Sequence, residues 1–334
     1  MESKRALLTG CAGFIGFHVT RRLLKEGYEV VGVDNLNSFY NEGLKDARLE
    51  MLRNQPGFQF IHGEIADNQA VQEIFRLHKF GPVVHLAAQA GVRHSLENPH
   101  LYVQSNVVGF VNMIEEARKH QIRHFVFASS SSVYGANTKI PFSEHDNVDY
   151  PVSLYAATKK SDELMAHVYA HLYALPTTGL RFFTVYGPWG RPDMAMFKFF
   201  KAIMEGTPIE LYNFGKMHRD FTYIDDIVEG VVRVIECPPG TGASPQDGED
   251  SSPPYRIFNI GNNSPIALNE MIRAMERKIG KKAIVKTLPM QPGDVPATHA
   301  DIEALFNAVG YRPHTSIEDG ISHFVDWYCE YYLR

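Results

Sequence analysis

Short apolar runs alternate with amphipathic stretches over the first half of the chain. The runs occupy 5–8, 29–33, 58–62, 83–86, 124–128 and 178–183, and each has the length of a buried strand. Between them, apolar residues such as Val19 and Leu23 recur at helical spacing. Strands that alternate with helices through short links predict an α/β fold with a doubly wound parallel sheet. Such sheets bind ligands at the carboxyl ends of their strands.

Three glycines follow the first apolar run, in the order strand, glycine turn, helix. Gly10, Gly13 and Gly16 have the spacing G-x2-G-x2-G, which lets the backbone approach a pyrophosphate and points helix N-terminal amides at it. Asp34 follows the second run, where a carboxylate binds a ribose diol and repels a 2′-phosphate. No Arg or Lys comes immediately after it in N-L-N-S-F-Y. The pattern predicts a dinucleotide site and favours NAD over NADP.

The alternation of strands and helices becomes irregular after Phe183. We therefore expect a Rossmann-type NAD-binding domain over 1–183 and a smaller substrate-binding α/β domain over 184–334. A strand near 256–261 is expected to rejoin the first sheet. The segment 238–254 is polar and rich in Pro and Gly, which is typical of a mobile surface loop.

Tyr155 and Lys159 form a pair suited to proton chemistry. They are four residues apart, so they share one face of a helix, and Ser153 is placed to cap that helix. An ammonium close to a phenol favours the phenolate, which allows tyrosine to act as a base. The run S-S-S-S-V-Y-G presents the hydroxyls of Ser130 and Ser132 at another strand end. Tyr-x3-Lys alone also fits an exposed helix face, but beside these serines and the glycine turn it predicts proton transfer on an alcohol.

Further polar candidates lie at strand ends and in the second half of the chain. Glu64, Gln89 and Arg93 follow the third and fourth apolar runs, although Arg93 would equally suit a solvated loop. Arg219 has the chemistry to hold a phosphate in a bidentate manner, or to pair at the surface with Asp220 or Asp225.

Composition limits the function classes. The 334 residues carry a formal net charge of -5, which gives no field that attracts nucleic acid or an anionic membrane surface. No apolar run approaches the ~20 residues of a membrane span, and the first strand begins too early for a signal peptide. Three scattered cysteines show neither a disulfide framework nor metal-ligand spacing. We expect a cytoplasmic protein without a metal site.

T-G-x-x-G-x-x-G, the strand-end serines and Tyr-x3-Lys occur in this order in extended short-chain dehydrogenases/reductases, and the whole chain resembles the nucleotide-sugar epimerases of that superfamily. The segments L-A-A-Q-A-G-V-R, S-S-S-S-V-Y-G and R-F-F-T-V-Y-G-P-W-G-R-P-D-M-A resemble the UDP-glucuronate 4-epimerase family most closely. The resemblance implies bound NAD, a UDP-sugar substrate and a homodimer formed through helices within 102–120 and 154–173. The implied NAD site comprises Gly10, Gly13, Phe14, Ile15, Gly16, Asp34, Asn35, Asn37, Glu64, Ile65, Leu86, Ala87, Ala88, Gln89, Asn106, Tyr155, Lys159 and Phe183.

The resemblance also implies an isomerase chemistry with Tyr155, Lys159 and Ser130 as catalytic residues. Tyr155, ionised with the help of Lys159, takes the proton of the sugar's 4-hydroxyl while a hydride leaves carbon 4 for NAD, and Ser130 orients or relays that proton. The 4-keto sugar then turns about its diphosphate and receives the hydride on its other face, which converts UDP-glucuronate to UDP-galacturonate. The implied substrate site comprises Arg93, Ser130, Ser132, Thr184, Arg191, Arg219 and Asp294.

Other activities of the superfamily are alternatives. A UDP-glucuronate decarboxylase or a 4,6-dehydratase resembles this chain in fold but carries Glu at the position of Ser132. A UDP-glucose or UDP-N-acetylglucosamine 4-epimerase usually has Asn in place of Thr184. A non-enzymatic NAD-sensing protein tends to lose the Tyr–Lys pair, which this chain keeps. These residues favour an epimerase that acts on an acidic sugar.

An epimerase of uronic acids must also avoid a side reaction. Its 4-keto intermediate is a β-keto acid, which loses carbon dioxide when the carboxyl bond aligns with the carbonyl π-system. A hydroxyl and a guanidinium can hold a carboxylate and its plane through charge-assisted hydrogen bonds. Thr184 and Arg191 lie on one loop after the sixth apolar run, and we hypothesise that they provide this restraint. Their alternative roles are a turn hydroxyl and a solvent-facing arginine.

Overall fold

The computed structural model describes residues 4–38, 42–240, 253–291 and 294–333. The expected surface loop at 238–254 lies mostly outside these ranges. The strands are β1 (Arg5–Thr9), β2 (Glu29–Asp34), β3 (Phe58–His62), β4 (Pro82–His85), β5 (His124–Ser130), β6 (Thr177–Phe182), β7 (Thr184–Tyr186), β8 (Pro208–Leu211), β9 (His218–Tyr223), β10 (Tyr255–Ile260), β11 (Pro265–Ala267) and β12 (Ile284–Thr287). The helices are α1 (Phe14–Lys25), α2 (Glu42–Arg53), α3 (Asn68–Leu77), α4 (Val92–Glu97), α5 (Pro99–Tyr102), α6 (Gly109–Lys119), α7 (Leu154–Tyr173), α8 (Ala195–Glu205), α9 (Ile224–Ile235), α10 (Leu268–Ile279), α11 (Glu303–Val309) and α12 (Ile317–Tyr332).

Seven of the described strands form one sheet in the order β10-β6-β5-β4-β1-β2-β3. Every neighbouring pair in it is parallel. The chain begins at β1, builds outward to β3, and then crosses to β4 on the other side of β1. The gap between the ends of β1 and β4 is therefore the topological switch point, where open α/β sheets bind their ligands. The predicted fold class is confirmed.

Helices cover both faces of this sheet. Val19 and Leu23 of α1 pack with Ile227 of α9 in one apolar cluster, whereas Phe110 of α6 and Ala166 of α7 belong to the cluster on the opposite face. Every residue of β4 and β6 is buried, as expected for parallel strands that are covered on both faces. No helix in the described part of the chain is long and apolar enough to cross a membrane.

Two small sheets form after Phe183. One has the strand order β11-β9-β7 and the other pairs β12 with β8. The chain returns to the large sheet in between, because β10 pairs in parallel with β6 from Tyr255 opposite Thr177 to Ile260 opposite Phe182. The domain boundary at residue 183 stays a prediction.

The helix expected across 102–120 is interrupted. α5 ends at Tyr102, a π-helical turn spans Val103–Val108, and α6 begins at Gly109. Asn106 lies in the π turn and is 1% exposed. Its amide donates to the backbone oxygen of Gln89 at 3.0 Å and accepts from the Gln89 amide at 2.8 Å. The wider π-helical turn thus places the Asn106 side chain against the segment that follows β4. The apolar periodicity of the sequence does not reveal this contact.

His124, the first residue of β5, is fully buried and neutral. Its Nδ1 lies 3.2 Å from the carbonyl oxygen of Ile235, which can only accept, so Nδ1 carries the proton. Its Nε2 accepts from the Thr178 hydroxyl at 2.8 Å. Burial lowers the pKa of the His124 imidazole to about 3. An imidazole in the unfolded chain has a pKa near ~6.5.

We predict that His124 makes folding stability sensitive to acid. Below about pH 6.5 the unfolded chain binds a proton that folded His124 rejects, so its contribution to stability falls by up to ~1.4 kcal/mol per pH unit towards its folded pKa. His124→Asn removes that titration. The stability difference between wild type and variant should therefore shrink as pH falls, measured by denaturant unfolding across a pH series. His145→Asn, at an exposed histidine, is the control for loss of an imidazole; a stability difference that stays constant with pH for the His124→Asn protein would contradict the prediction.

Candidate active site

The glycine turn after β1 brings three backbone segments into contact. Gly10 has φ +77°, and a Cβ there would lie 2.9 Å from the amide nitrogen of Ala87. A Cβ at Gly16 would lie 2.0 Å from the carbonyl oxygen of Gly10. α1 begins at Phe14, and its cap residue Gly13 offers no side chain to the first amides. These amides form the positive end of α1 beside the switch point, so the turn fits a pyrophosphate.

Asp34 ends β2 and is held from two sides. Its Oδ2 accepts from the amide of Ala12 at 3.0 Å, and its Oδ1 accepts from the amide of Leu36 at 2.9 Å. Lys45 of α2 places its Nζ 3.8 Å from Asp34 Oδ1 and donates to Asn37 Oδ1 at 2.7 Å. No Arg or Lys follows Asp34 immediately in the sequence, but the folded chain places the Lys45 cation beside it. Lys45 lies a loop and a helical turn away in sequence, and only packing of α2 brings it here.

One cavity of about 480 Å³ runs from the glycine turn past the carboxyl ends of the strands. It contains most of the residues predicted for NAD, namely Gly10, Gly13, Phe14, Ile15, Gly16, Asp34, Asn35, Asn37, Glu64, Ile65, Leu86, Ala87, Ala88, Gln89, Tyr155, Lys159 and Phe183. The predicted substrate residues Ser130, Ser132, Thr184, Arg191 and Asp294 line it too. Asn106 does not line the cavity but lies beneath it, bonded to Gln89.

Tyr155 and Lys159 reach this cavity from the first two turns of α7. Ser153 caps the helix, as predicted, because its Oγ accepts from the amide of Ala156 at 3.1 Å. Tyr155 packs edge-on against Tyr102, with ring centroids 6.1 Å apart. The Lys159 side chain is only 2% exposed. Its Nζ donates to the buried carboxylate of Asp162 at 3.1 Å, a contact that the sequence did not predict.

The serines at the end of β5 form a small hydroxyl cluster. Ser130 Oγ donates to Ser132 Oγ at 3.2 Å, and it accepts from the amide of Ser132 at 3.2 Å. A 3₁₀ turn from Ser131 to Tyr134 begins directly afterwards. The turn directs these hydroxyls into the cavity that Tyr155 also lines. The geometry can hold an oxygen atom of a ligand between a phenol and two hydroxyls.

A buried polar network fixes α7 against the sheet. Arg181 of β6 donates to Glu163 of α7 through Nε at 2.8 Å and Nη2 at 2.9 Å. Ser129 donates to the same carboxylate at 2.6 Å, and Arg181 Nη1 donates to the Tyr134 hydroxyl at 3.1 Å. Each partner lies on a different element, so sequence spacing carries no signal of the network. Because buried polar groups are costly without partners, this satisfied set restricts α7 to one position.

A second cavity of about 140 Å³ adjoins the first and is lined by Ser132, Thr184, Arg219 and Asp294. Arg219 of β9 points Nη2 at Asp294 Oδ1, 3.4 Å away. Burial lowers the pKa of the Arg219 guanidinium, and the Asp294 carboxylate opposes that shift. Arg219 therefore pairs with Asp294 rather than with the surface aspartates considered from the sequence.

Arg93 lines neither cavity. Its Nη2 lies 3.4 Å from Asp294 Oδ2, and its guanidinium stacks 5.0 Å from the ring centroid of Tyr212. The side chain is 53% exposed. Arg93 and Arg219 thus hold Asp294 from opposite sides at the outer end of the site.

Arg191 lines the large cavity beside Thr184, but its guanidinium is engaged. Nε donates to Asp193 Oδ1 at 3.0 Å and Nη2 donates to Asp193 Oδ2 at 2.6 Å. Asp193 also lines the cavity. Sequence reasoning missed Asp193, although its place two residues after Arg191 in R-P-D is a possible signal. In the described ranges, no three His, Cys, Asp or Glu side chains converge to hold a metal ion.

The glycine turn, the acid after β2 and the Tyr–Lys helix define a class of nucleotide-dependent enzyme. The chain belongs to the NAD dependent epimerase/dehydratase family, whose sequence profile matches residues 6–261. A protein of Rhizobium meliloti described as a probable UDP-glucuronate 4-epimerase is 49% identical and covers 99% of this chain and 98% of its own length. UDP-glucuronate 4-epimerase 4 of Arabidopsis thaliana is 47% identical over 98% of this chain and 75% of its own.

Solved structures show the same similarity. The crystal structure of UDP-glucuronic acid 4-epimerase from Bacillus cereus, in complex with UDP-glucuronic acid and NAD, has a TM-score of 0.88 and 32% identity to this chain. The match covers 98% of this chain and 100% of that one. The family, the fold class and the NAD cofactor predicted from the sequence are confirmed.

We predict that Gly16→Ala prevents retention of NAD. A Cβ 2.0 Å from the Gly10 carbonyl oxygen forces the backbone of the turn apart, and strain of this kind is enough to reduce retained NAD at least ~tenfold. NAD released by denaturing the purified protein measures the effect.

Gly63→Ala is the matched control, because it also lines the cavity but its Cβ would meet Val33 at an ordinary 3.6 Å. Wild-type NAD content in the Gly16→Ala protein would contradict the prediction.

Proposed function

We propose that the protein is a UDP-glucuronate 4-epimerase that interconverts UDP-glucuronate and UDP-galacturonate with bound NAD. The observation that carries the proposal is the convergence of Tyr155, Lys159 and Ser130 on the cavity that begins at the glycine turn. The relatives in Rhizobium meliloti and Arabidopsis thaliana support this substrate. So does the Bacillus cereus enzyme, which was solved with UDP-glucuronic acid and NAD.

The cavity fits NAD at one end and a sugar at the other. NAD, when bound, supplies a hydride acceptor for carbon 4 and returns the hydride to the opposite face of the ring. Tyr155 takes the proton from the 4-hydroxyl as general base and gives it back after the sugar has turned. The buried ammonium of Lys159 stabilises the phenolate. Ser130 holds the 4-oxygen while its proton moves.

The outer end of the site holds the diphosphate. Arg219 lies mostly buried on β9, with 15% of its side chain exposed, and it faces the smaller cavity. A guanidinium in this position binds phosphate oxygens in a bidentate manner. Asp294 keeps Arg219 oriented and is itself held by Arg93. Fixing the diphosphate leaves the 4-keto sugar free to rotate about that tether.

Thr184 and Arg191 are proposed to bind the carboxylate of the sugar. Both line the cavity that begins at the glycine turn. Asp193 occupies two donors of Arg191 and so fixes the plane of the guanidinium. A carboxylate bound to a guanidinium of fixed plane is itself held in one plane, which keeps the β-keto acid intermediate from losing carbon dioxide. Ser131 and Ser132 at the end of β5 supply no acidic group of the kind expected in a decarboxylase.

We also propose that the protein forms a homodimer through α6 and α7. Leu164, Val168 and Leu172 recur every four residues on α7 and are 56%, 48% and 61% exposed. Val111 of the adjoining α6 is 37% exposed. A contiguous exposed apolar face of two helices favours packing against a second copy. A cytoplasmic location stays a prediction from the sequence.

We predict that Tyr155→Phe abolishes turnover without releasing NAD. Loss of a general base lowers turnover by at least ~10²-fold. The phenyl ring keeps the contact with Tyr102. NMR of products after separate incubation with UDP-glucuronate, UDP-glucose and UDP-N-acetylglucosamine measures both turnover and substrate choice.

Tyr150→Phe is the control for that experiment. Tyr150 lies just before α7 and is 73% exposed, so its variant should keep wild-type turnover. Near-normal turnover by the Tyr155→Phe protein would remove Tyr155 from the mechanism, and conversion of the other two sugars alone would overturn the proposed substrate.

We predict that Arg191→Ala causes the enzyme to release products of decarboxylation. Without the guanidinium the intermediate's carboxylate rotates freely, so epimerisation should slow while carbon dioxide and a decarboxylated UDP-4-ketopentose form. Where the hydride returns to carbon 4 the product is UDP-pentose, and where the ketone leaves first the enzyme should retain reduced NAD. Product NMR and the near-ultraviolet absorbance of reduced NAD measure these outcomes. Arg191→Lys keeps the charge without the planar fork and should fall between wild type and Arg191→Ala; slow turnover with no pentose would assign Arg191 to binding alone.

A further inference from the structure

Lys159 has a partner that the proposed mechanism does not use. Asp162 follows it by three residues on α7, and its Oδ2 accepts from Lys159 Nζ at 3.1 Å. The two side chains are 0% and 2% exposed, respectively. The other oxygen, Asp162 Oδ1, is buried without a hydrogen-bond partner among the described residues. A carboxylate that is only half satisfied is costly, which makes its place beside the catalytic ammonium notable.

Few other charges act on this pair. Glu163, the next residue of α7, is bound to Arg181 and Ser129. His85 of β4 is neutral, because burial lowers the pKa of its imidazole to about 3, and Thr9 bonds its Nδ1 at 2.8 Å.

Other titratable groups on elements packed against α7 include Arg93 on α4, Tyr102 on α5, Glu115 on α6, Tyr134 in the 3₁₀ turn and Tyr255 on β10, and each of these five has a hydrogen-bond or ion-pair partner of its own. The charges that act on Asp162 are the Lys159 cation and the neighbouring Glu163 anion.

Lys159 thus lies between two acidic groups of α7, the phenol of Tyr155 and the carboxyl of Asp162. Tyr155 precedes it by four residues and Asp162 follows it by three, so all three side chains lie along one side of α7. An anion about 3 Å from an ammonium cancels much of the field that the ammonium exerts on a third group. An ionised Asp162 therefore weakens the help that Lys159 gives to the Tyr155 phenolate.

Asp162 is also poised to change its charge. Burial raises the pKa of the Asp162 carboxyl to about 7; Lys159 opposes the rise and the charge of Glu163 adds to it. Protonation of Asp162 near neutral pH then removes the negative charge beside Lys159. Acids that share one cation titrate together rather than singly.

We propose that Asp162 is a positioning residue that shares the Lys159 ammonium with Tyr155 and thereby sets the pH at which Tyr155 becomes a phenolate. The proposal rests on the role of Tyr155 as base in the proposed function. Asp162 touches neither sugar nor cofactor in this role. It holds Lys159 in place and reduces its effective charge.

Asp162→Asn tests the proposal, because it keeps the size of the side chain and removes its charge. The Tyr155 phenolate is followed by its near-ultraviolet absorbance during a pH titration, without substrate. Subtracting the titration of a matched Tyr155→Phe protein removes the signal of the other tyrosines. Without the anion, the midpoint of phenolate formation should move to lower pH by ~1 unit. The acid limb of the turnover profile should move by the same amount.

Asp149→Asn is the matched control. It removes the same charge from another lysine partner, because Asp149 lies 3.9 Å from Lys160, but the Asp149 side chain is 66% exposed. Water screens this pair, so the midpoint should not move. Asp162→Ser provides a second uncharged variant if Asp162→Asn folds poorly, as judged by circular dichroism.

The outcomes separate the two levels of the proposal. If the midpoint of phenolate formation is unchanged in both Asp162 variants, Asp162 is merely structural. If the midpoint moves to higher pH, Asp162 sustains the charge of Lys159. Either result overturns the proposal. If the wild-type difference spectrum shows no Tyr155 phenolate below about pH 9, Tyr155 is not the base, and the proposed mechanism fails together with the role of Asp162.

Discussion

The contact between backbones at the switch point is the constraint on which the rest of the site depends. A Cβ at Gly10 would collide with the backbone of Ala87, and one at Gly16 with the carbonyl of Gly10. These segments belong to the turn after β1, the first turn of α1 and the chain after β4. The amide of Gly10 also donates to Val33 at 2.7 Å, which joins the same turn to the end of β2. The helix amides, Asp34 and the floor of the cavity therefore keep fixed positions relative to one another.

Residues whose placement depends on local spacing were predictable from the sequence. The glycines need only a strand before them and a helix after them, and Tyr155 and Lys159 need only one helix to share a face. Asp34 needs only to end the strand that follows. In each case the distance along the chain determines the distance in space, so a pattern of a few letters contains the geometry. The parallel pairing of the strands follows from the same alternation of strands and helices.

Residues whose contacts depend on a partner from another element were not predictable in this way. Lys45 reaches Asp34 because α2 packs against the turn, and Arg181 of β6 reaches Glu163 of the helix α7. Asn106 is aimed by a π-helical turn, which leaves no mark in the apolar periodicity. Asp162 and Asp193 lie next to predicted residues, yet nothing in their spacing separates a buried ion pair from a solvated one. Such pairs depend on burial, which only the folded chain determines.

The return of β10 to the large sheet has a consequence for the synthesis of the protein. β10 covers the edge strand β6, although residues 183–254 separate them in sequence. While the chain is being synthesised, β6 is complete long before its neighbour has left the ribosome. An uncovered edge strand is a template for pairing with other chains. The nascent protein thus passes through a period in which its nucleotide-binding half is formed while the edge of β6 is still uncovered. A ribosome that stalls within that interval leaves an aggregation-prone fragment.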